Sequence, residues 1–195
     1  FLRIASSSAK MMDDIIDELL LFASEQRSDK PLSLEPVSLK NLCDDLAQVH
    51  HRNAQDKELE FNKEFNFRRR VHIVTDRNKL NQVLNNLLNN ALKYTVEGDI
   101  CFSVSLREMS SFKNAELLFV ISDTGIGISE EHMQHIFDPF FQADYSYSRS
   151  YSGLGLGLSI VRKICDRLGA SIVIESKTGQ GTSVTLTLPV VVAAT

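Results

Sequence analysis

Cysteine is scarce in this chain. Cys43, Cys101 and Cys165 are odd in number and far apart, and no CxxC or Cys/His spacing of a zinc site occurs. Neither a disulfide scaffold nor a structural zinc is expected, and reduced thiols in a cytosolic setting fit best. Long apolar runs are missing too. None approaches the ~18 residues of a membrane span, and no signal peptide is visible. Excess charge of either sign is also absent. A net charge of −4 argues against nucleic acid as the main partner. The one basic run, Arg68 to Arg70, reads as a solvated turn after a strand. Two phosphate-binding fingerprints are lacking, the GxxxxGK[ST] loop and the GxGxxG turn of a dinucleotide fold. What remains is a chain of 195 residues, 43% of them hydrophobic, enough for a sizeable core. It begins with Phe1, so a piece excised from a longer protein is expected.

The most informative stretch is Asn81 to Tyr94, NQVLNNLLNNALKY. Wound as a helix, it places Leu80, Val83, Leu84, Leu87, Leu88, Ala91 and Leu92 on a wide apolar arc. Asn86, Asn90 and Lys93 form a stripe at i, i+4 and i+7 on the narrow remaining arc. Asn is a mediocre helix former, because its amide competes for backbone hydrogen bonds. A row of uncharged amides on a buried helix points either to amides bonded inside the domain or to something polar lying against it.

Around this helix the elements alternate. Residues 1 to about 28 read as one amphipathic helix, with Met12, Ile15, Ile16, Leu19, Leu20 and Phe22 at helical spacing. Packing on its own domain and a two-helix seam are both open, and the polar linker SDKPLSLEP after it favours the seam. Ser38 is expected to cap a helix reaching Asp56, and His50 and His51 on it are expected at the surface. Strands follow at 59–65 and 71–74, then the asparagine helix, capped by Thr75 or Asp76. Further strands are expected at 99–106, 117–122, 171–175 and 183–188. Ser129 begins a short helix to about Ile136, and Leu158 to Leu168 form another that stops at Gly169. Residues 190–195 read as a frayed end or linker. The expected fold is a two-layer α/β sandwich with a mixed sheet, preceded by one long helix.

Three glycine clusters carry the chemistry: Asp123-Thr-Gly-Ile-Gly-Ile, Gly153-Leu-Gly-Leu-Gly-Leu and Thr178-Gly-Gln-Gly-Thr182. Glycine lets backbone N–H groups approach phosphate oxygens, and a following helix N-terminus adds its dipole. Gly153 to Gly157 runs straight into the helix at Leu158. Asp123 ends a buried strand. It either caps the next turn or accepts a hydrogen bond from an exocyclic amino group such as that of adenine.

Taken in order, these stretches resemble the catalytic ATP-binding domain of sensor histidine kinases, of the family shared with gyrase, Hsp90 and MutL ATPases and their Bergerat-type fold. Asn86-Leu-Leu-Asn-Asn90-Ala-Leu-Lys93-Tyr94 is similar to the N box, and Asp123-Thr-Gly-Ile-Gly127 to the G1 box. Phe137-Asp-Pro-Phe140 resembles the F box, Gly153 to Leu158 the G2 box, and Gly179-Gln-Gly-Thr182 the last motif. Residues 1–30 resemble the second helix of the dimerisation and phosphotransfer hairpin, 31–37 a linker, and 38–189 the catalytic domain. Phe141-Gln-Ala-Asp144 resembles the hybrid subgroup, which carries a receiver domain.

The resemblance implies ATP and Mg²⁺ as cofactors. Asn90 would face the metal, with Asn86 beside the phosphates. Lys93 would sit near phosphate oxygens as a compact charge, and Tyr94 would pack near the nucleotide. Asp123 would read the adenine amino group with help from Thr182, and Gly125, Gly127 and Ile128 would form the wall beside the base. Residues 138–152 would be a lid anchored by Phe137 and Phe140, with Arg149 gripping the γ-phosphate. Gly153, Leu154, Gly155, Leu156, Gly157 and Leu158 would hold the phosphates. Asn86, Lys93 and Arg149 would carry catalysis. Implied partners are a second copy through the helical hairpin, a phosphoacceptor-histidine helix and a response-regulator receiver domain. Nucleic acid and direct membrane contact are not expected, and the resemblance implies a cytoplasmic location, with an inner-membrane sensor as one form of the parent.

Two departures stand out. Ser152 and Leu154 replace a Gly and a Thr of the usual G2 pattern, and no histidine here has the His-Glu-Leu-Arg-like context of the acceptor. The chain is therefore expected to bind ATP without phosphorylating itself. Two other functions stay open. A degenerate module could act by dimerising or binding a partner. A superfamily hydrolase would place a Glu base where Asn86 stands, and Asn cannot take a proton from water.

Overall fold

The computed structural model describes residues 2–26, 30–68, 70–108, 114–142 and 154–193. The elements are α1 (Leu2–Gln26), β1 (Glu35–Ser38), α2 (Leu39–Gln55), β2 (Glu60–Asn66), β3 (His72–Thr75), α3 (Arg77–Tyr94) and β4 (Asp99–Glu108). They continue with β5 (Asn114–Asp123), α4 (Glu130–Met133), α5 (Gly157–Leu168), β6 (Ser171–Lys177) and β7 (Gly181–Val192).

The strands form one mixed sheet in the order β1-β3-β7-β5-β4-β2, with β6 also paired to β7. Among the described strands, only β2 runs parallel to its neighbour, β4. The register aligns alternate apolar residues on a single face: Phe102 opposite Ile121, Val104 opposite Phe119, and Phe119 in turn opposite Leu186. That face and the apolar arcs of α2, α3 and α5 make one core. Each large aliphatic side chain buried there contributes about 1.5–3 kcal/mol, which is why the period-2 and period-3.6 patterns dictate two layers.

Local chemistry sets the helix ends. The Ser38 hydroxyl accepts the Asn41 N–H at 3.4 Å, and the Asp76 carboxylate accepts the Lys79 N–H at 3.0 Å. Asp76, rather than Thr75, is therefore the cap of α3. Gly169, at φ 67°, ends α5.

Four expectations need revision. His50 is buried at 1% exposure, because it continues the Leu42, Leu46, Ala47 stripe of α2 and bonds Asn85 Oδ1 through Nε2 at 2.9 Å. Residues 35–38 of the linker region form a strand against β3. Residues 190–192 belong to β7, where Val191 and Val192 pair with Val74 and Ile73. α4 ends at Met133 rather than Ile136.

The N-terminal helix docks on its own domain. It packs on α5. Glu25, 2% exposed, bridges Lys79 of α3 and Arg167 of α5. Its Met12, Ile16, Leu19 and Leu20 remain exposed on another face.

Candidate functional site

A cavity of about 500 Å³ opens between α3, the end of β5 and the two glycine turns beside it. This is the size of a small-ligand site. One wall comes from α3: Leu87, Asn90, Ala91, Lys93 and Tyr94. Ile121, Ile174 and Val184 supply an apolar sheet floor. Such a slot suits a flat ring that buries both faces.

Asp123 stands at the inner end. Its Oδ1 accepts the N–H of Gly125 at 2.9 Å and of Thr182 at 3.3 Å, and no described residue bonds Oδ2. Burial pushes the carboxyl above its ordinary pKa, and the two N–H groups pull it partly back. The neighbouring turn is held tightly. Gly181 has φ +95°, and a methyl group there would lie 1.9 Å from the Asp123 carbonyl oxygen.

Ser176 completes this corner. Its hydroxyl oxygen accepts the Ile128 N–H at 2.8 Å and donates to the Gly181 carbonyl at 2.9 Å. It also lies 2.9 Å from Thr182 Oγ1. A serine has one proton to give. With that proton on Gly181, the Thr182 hydroxyl must donate to Ser176, so its lone pairs are left for the cavity. Asp123 and Thr182 thus present acceptors side by side.

Of the expected site residues, Asn90, Lys93, Tyr94, Asp123, Gly127, Ile128, Leu158 and Thr182 line this cavity. No described residue bonds the Asn90 side chain, so its amide is available to a ligand. The Lys93 ammonium lies 5.1 Å from the Tyr94 ring centroid. The other expected residues lie elsewhere. Gly125 sits behind the wall as a donor to Asp123. Phe140 is 58% exposed and packs edge-on against Phe22 of α1, 6.0 Å away, while Phe141 faces the cavity in its place.

Asn86 does not line the cavity and lies beside Gly157 instead. A methyl group on Gly157 would lie 3.0 Å from its Oδ1, and its Nδ2 donates to the Gln82 carbonyl at 3.0 Å. The Leu156 side chain is fully buried in the core, and the Leu154 side chain packs partly buried against it. Leu154, Gly155 and Leu156 can therefore offer a ligand only backbone. Arg149, Gly153 and Ser152 lie outside the described residues. No local pattern in the sequence marks Ser176, and the Phe141-Gln-Ala-Asp144 resemblance marks Phe141 and Gln142 without placing them on the cavity wall.

Among the described residues, no group of three or more His, Cys, Asp and Glu is arranged to hold a metal. A free amide such as Asn90 fits Mg²⁺, a hard cation that takes few protein ligands and completes its shell with phosphate oxygens and water.

Residues 75–192 match the family described as histidine kinase-, DNA gyrase B- and HSP90-like ATPase. The chain belongs to that family. The match spans α3, the cavity walls and the whole of β7. Among relatives, the autoinducer 2 sensor kinase/phosphatase LuxQ of Vibrio parahaemolyticus is 33% identical over 90% of this chain. The chain spans only 20% of that relative's length. Full-length ShkA in complex with AMPPNP superimposes with a TM-score of 0.78 at 27% identity, covering 92% of this chain and 36% of that one. The nucleotide-free catalytic domain of histidine kinase ThkA gives 0.60 at 26% identity, covering 81% and 96%. The two-layer mixed fold is that of histidine kinase catalytic domains.

Proposed function

We propose that this chain is the nucleotide-binding catalytic portion of a two-component sensor histidine kinase. It binds Mg-ATP and directs the γ-phosphoryl group to a histidine on a separate helix. The observation that carries the reading is the pair of acceptors, Asp123 Oδ2 and the Thr182 hydroxyl, in a cavity of about 500 Å³ with an apolar floor. The adenine amino group donates to them. Asn90 holds Mg²⁺, and Lys93 neutralises phosphate charge. Held beside Asn90, Mg²⁺ would supply positive charge to offset the negative charge that develops during transfer.

Phosphoryl transfer needs positioning more than protein acid or base chemistry. Asn86 beside Gly157 suits that role, since its amide cannot act as a base for water. Hydrolysis is accordingly disfavoured. The exposed stripe Met12, Ile16, Leu19 and Leu20 supports pairing of α1 with another helix, in a hairpin that carries the acceptor and dimerises. A receiver domain is the proposed destination of the phosphoryl group, and the cytoplasm, where ATP is available, the proposed location. No described helix is long and apolar enough to cross a membrane.

Calorimetric titration of the chain with Mg-AMPPNP tests the first step. The absence of binding would overturn the reading. The second test adds a protein fragment carrying the acceptor-histidine helix together with labelled ATP. Acid-labile, base-stable phosphate on that fragment is the expected product.

A further inference from the structure

The backbone leading into α5 already holds an anion, and it comes from the chain itself. Glu18 of α1 accepts the Leu154 N–H on Oε2 at 2.9 Å and the Leu156 N–H on Oε1 at 3.0 Å. Gly155 between them has φ +75°, the alternation that turns successive N–H groups the same way and makes an anion-binding concavity. The start of a 12-residue helix lies directly behind, so its dipole favours negative charge there.

The carboxylate is delivered by a docked face. Glu18, Phe22, Glu25 and Gln26 recur at helical spacing on α1. Phe22 meets Phe140, Glu25 bridges Lys79 and Arg167, and Gln26 Oε1 accepts from Lys163 Nζ at 2.9 Å. These contacts tie α1 to Phe140, to α3 and to α5.

We propose that Glu18 is a built-in stand-in for nucleotide phosphate. Docked α1 and the phosphate tail of Mg-ATP compete for the N–H groups of Leu154 and Leu156. Nucleotide binding then releases α1, and α1 docking weakens nucleotide binding by the same factor, as linkage requires. This regulation rests on the nucleotide-site reading above. It gives the helix that is proposed to pair with the acceptor helix a direct means of sensing whether the site is loaded.

The test uses the whole chain and its Glu18→Gln variant, each titrated with Mg-ADP and with adenosine, which has no phosphate. The expected result is Mg-ADP binding about tenfold tighter to the variant, a difference of about 1.4 kcal/mol, with adenosine binding unchanged. Amide hydrogen exchange across residues 12–26 of the unmodified chain should rise at saturating Mg-ADP and stay constant with adenosine. Equal Mg-ADP affinity in both proteins would overturn the competition and leave the nucleotide site standing. So would an equal gain for adenosine, or a gain for Mg-ADP with no change in exchange on α1. If neither protein binds Mg-ADP or adenosine, the site reading fails and the proposal fails with it. Far-UV circular dichroism and the melting midpoint of the variant check that it folds, and Glu18→Ala provides a second removal of the carboxylate.

Discussion

Replacing Asp123 with Asn should separate stability from binding. The Asn amide oxygen can take the place of Oδ1 and keep the N–H groups of Gly125 and Thr182. Folding loses some charge assistance in those two bonds, but it no longer has to bury a carboxylate. The two effects oppose each other, so the net change should stay below about 1 kcal/mol, a midpoint shift of about 2–4 °C for a chain of this size. Binding should suffer far more. The NH2 group of Asn would point into the cavity where Oδ2 accepts now, setting a donor against the adenine amino donor. Loss of a hydrogen bond to a charged acceptor costs about 1.5–3 kcal/mol, and the unsatisfied donor adds to it. A total of about 3 kcal/mol weakens Kd about 150-fold. Calorimetry with Mg-ADP near neutral pH, beside a thermal melt, measures both. An affinity within threefold of the parent would refute the adenine assignment. The pH dependence adds a check. Asp123 has a raised folded pKa, so in the free chain its contribution to stability is full below the unfolded value and is lost as pH rises through the folded one. Nucleotide binding needs the ionised acceptor. Affinity should therefore fall as pH drops through that raised pKa, and the Asn variant should lack this limb.

Four other outcomes are expected. Ser176→Ala removes the acceptor of the Ile128 N–H and the Thr182 hydroxyl, costing about 1–2 kcal/mol of stability in denaturant titration and roughly fivefold in Mg-ADP affinity. Asn90→Ala should abolish the difference between ADP affinities measured with Mg²⁺ and with chelator, and a preserved difference would remove Asn90 from the metal site. Glu25→Gln leaves Lys79 and Arg167 facing each other without their carboxylate. Removing one partner of a buried pair costs about 3–5 kcal/mol, and the partial exposure of both cations reduces this to about 2. Hydrogen exchange should localise that loss to α1 and spare the sheet. Cys43 and Cys165 have their thiols pushed up to about 12 by burial, so their contribution to stability is full below pH 9 and is lost as pH rises toward 12. A thiol reagent at mild pH should label the half-buried Cys101 first.

The helix α3 was legible because its evidence is local. Seven apolar residues at helical spacing and a capping Asp76 lie within one stretch, and all seven are buried. Asp123 was legible too, since an apolar alternation ends on it just before a glycine turn. His50 continues the buried Leu42, Leu46, Ala47 stripe of α2, but a pair of histidines reads as solvent-facing, and the partner that satisfies its ring, Asn85, lies on another helix. β1 was missed because four residues containing Pro36 carry no period. Only the edge position beside β3 makes them a strand, and an edge tolerates proline.

The amino-acid sequence by itself determined which segments become helix or strand, which face of each is apolar, and which turns can bring backbone N–H groups close to an anion. Those properties depend on residues within one or two turns of each other, so spacing encodes them. The tertiary structure alone decided which groups meet. Ser176 reaches Thr182 only through the β6–β7 register, and Glu18 reaches Leu154 across 136 residues. No periodicity carries such pairings, because they arise when a whole core closes and brings distant polar groups to the same edge.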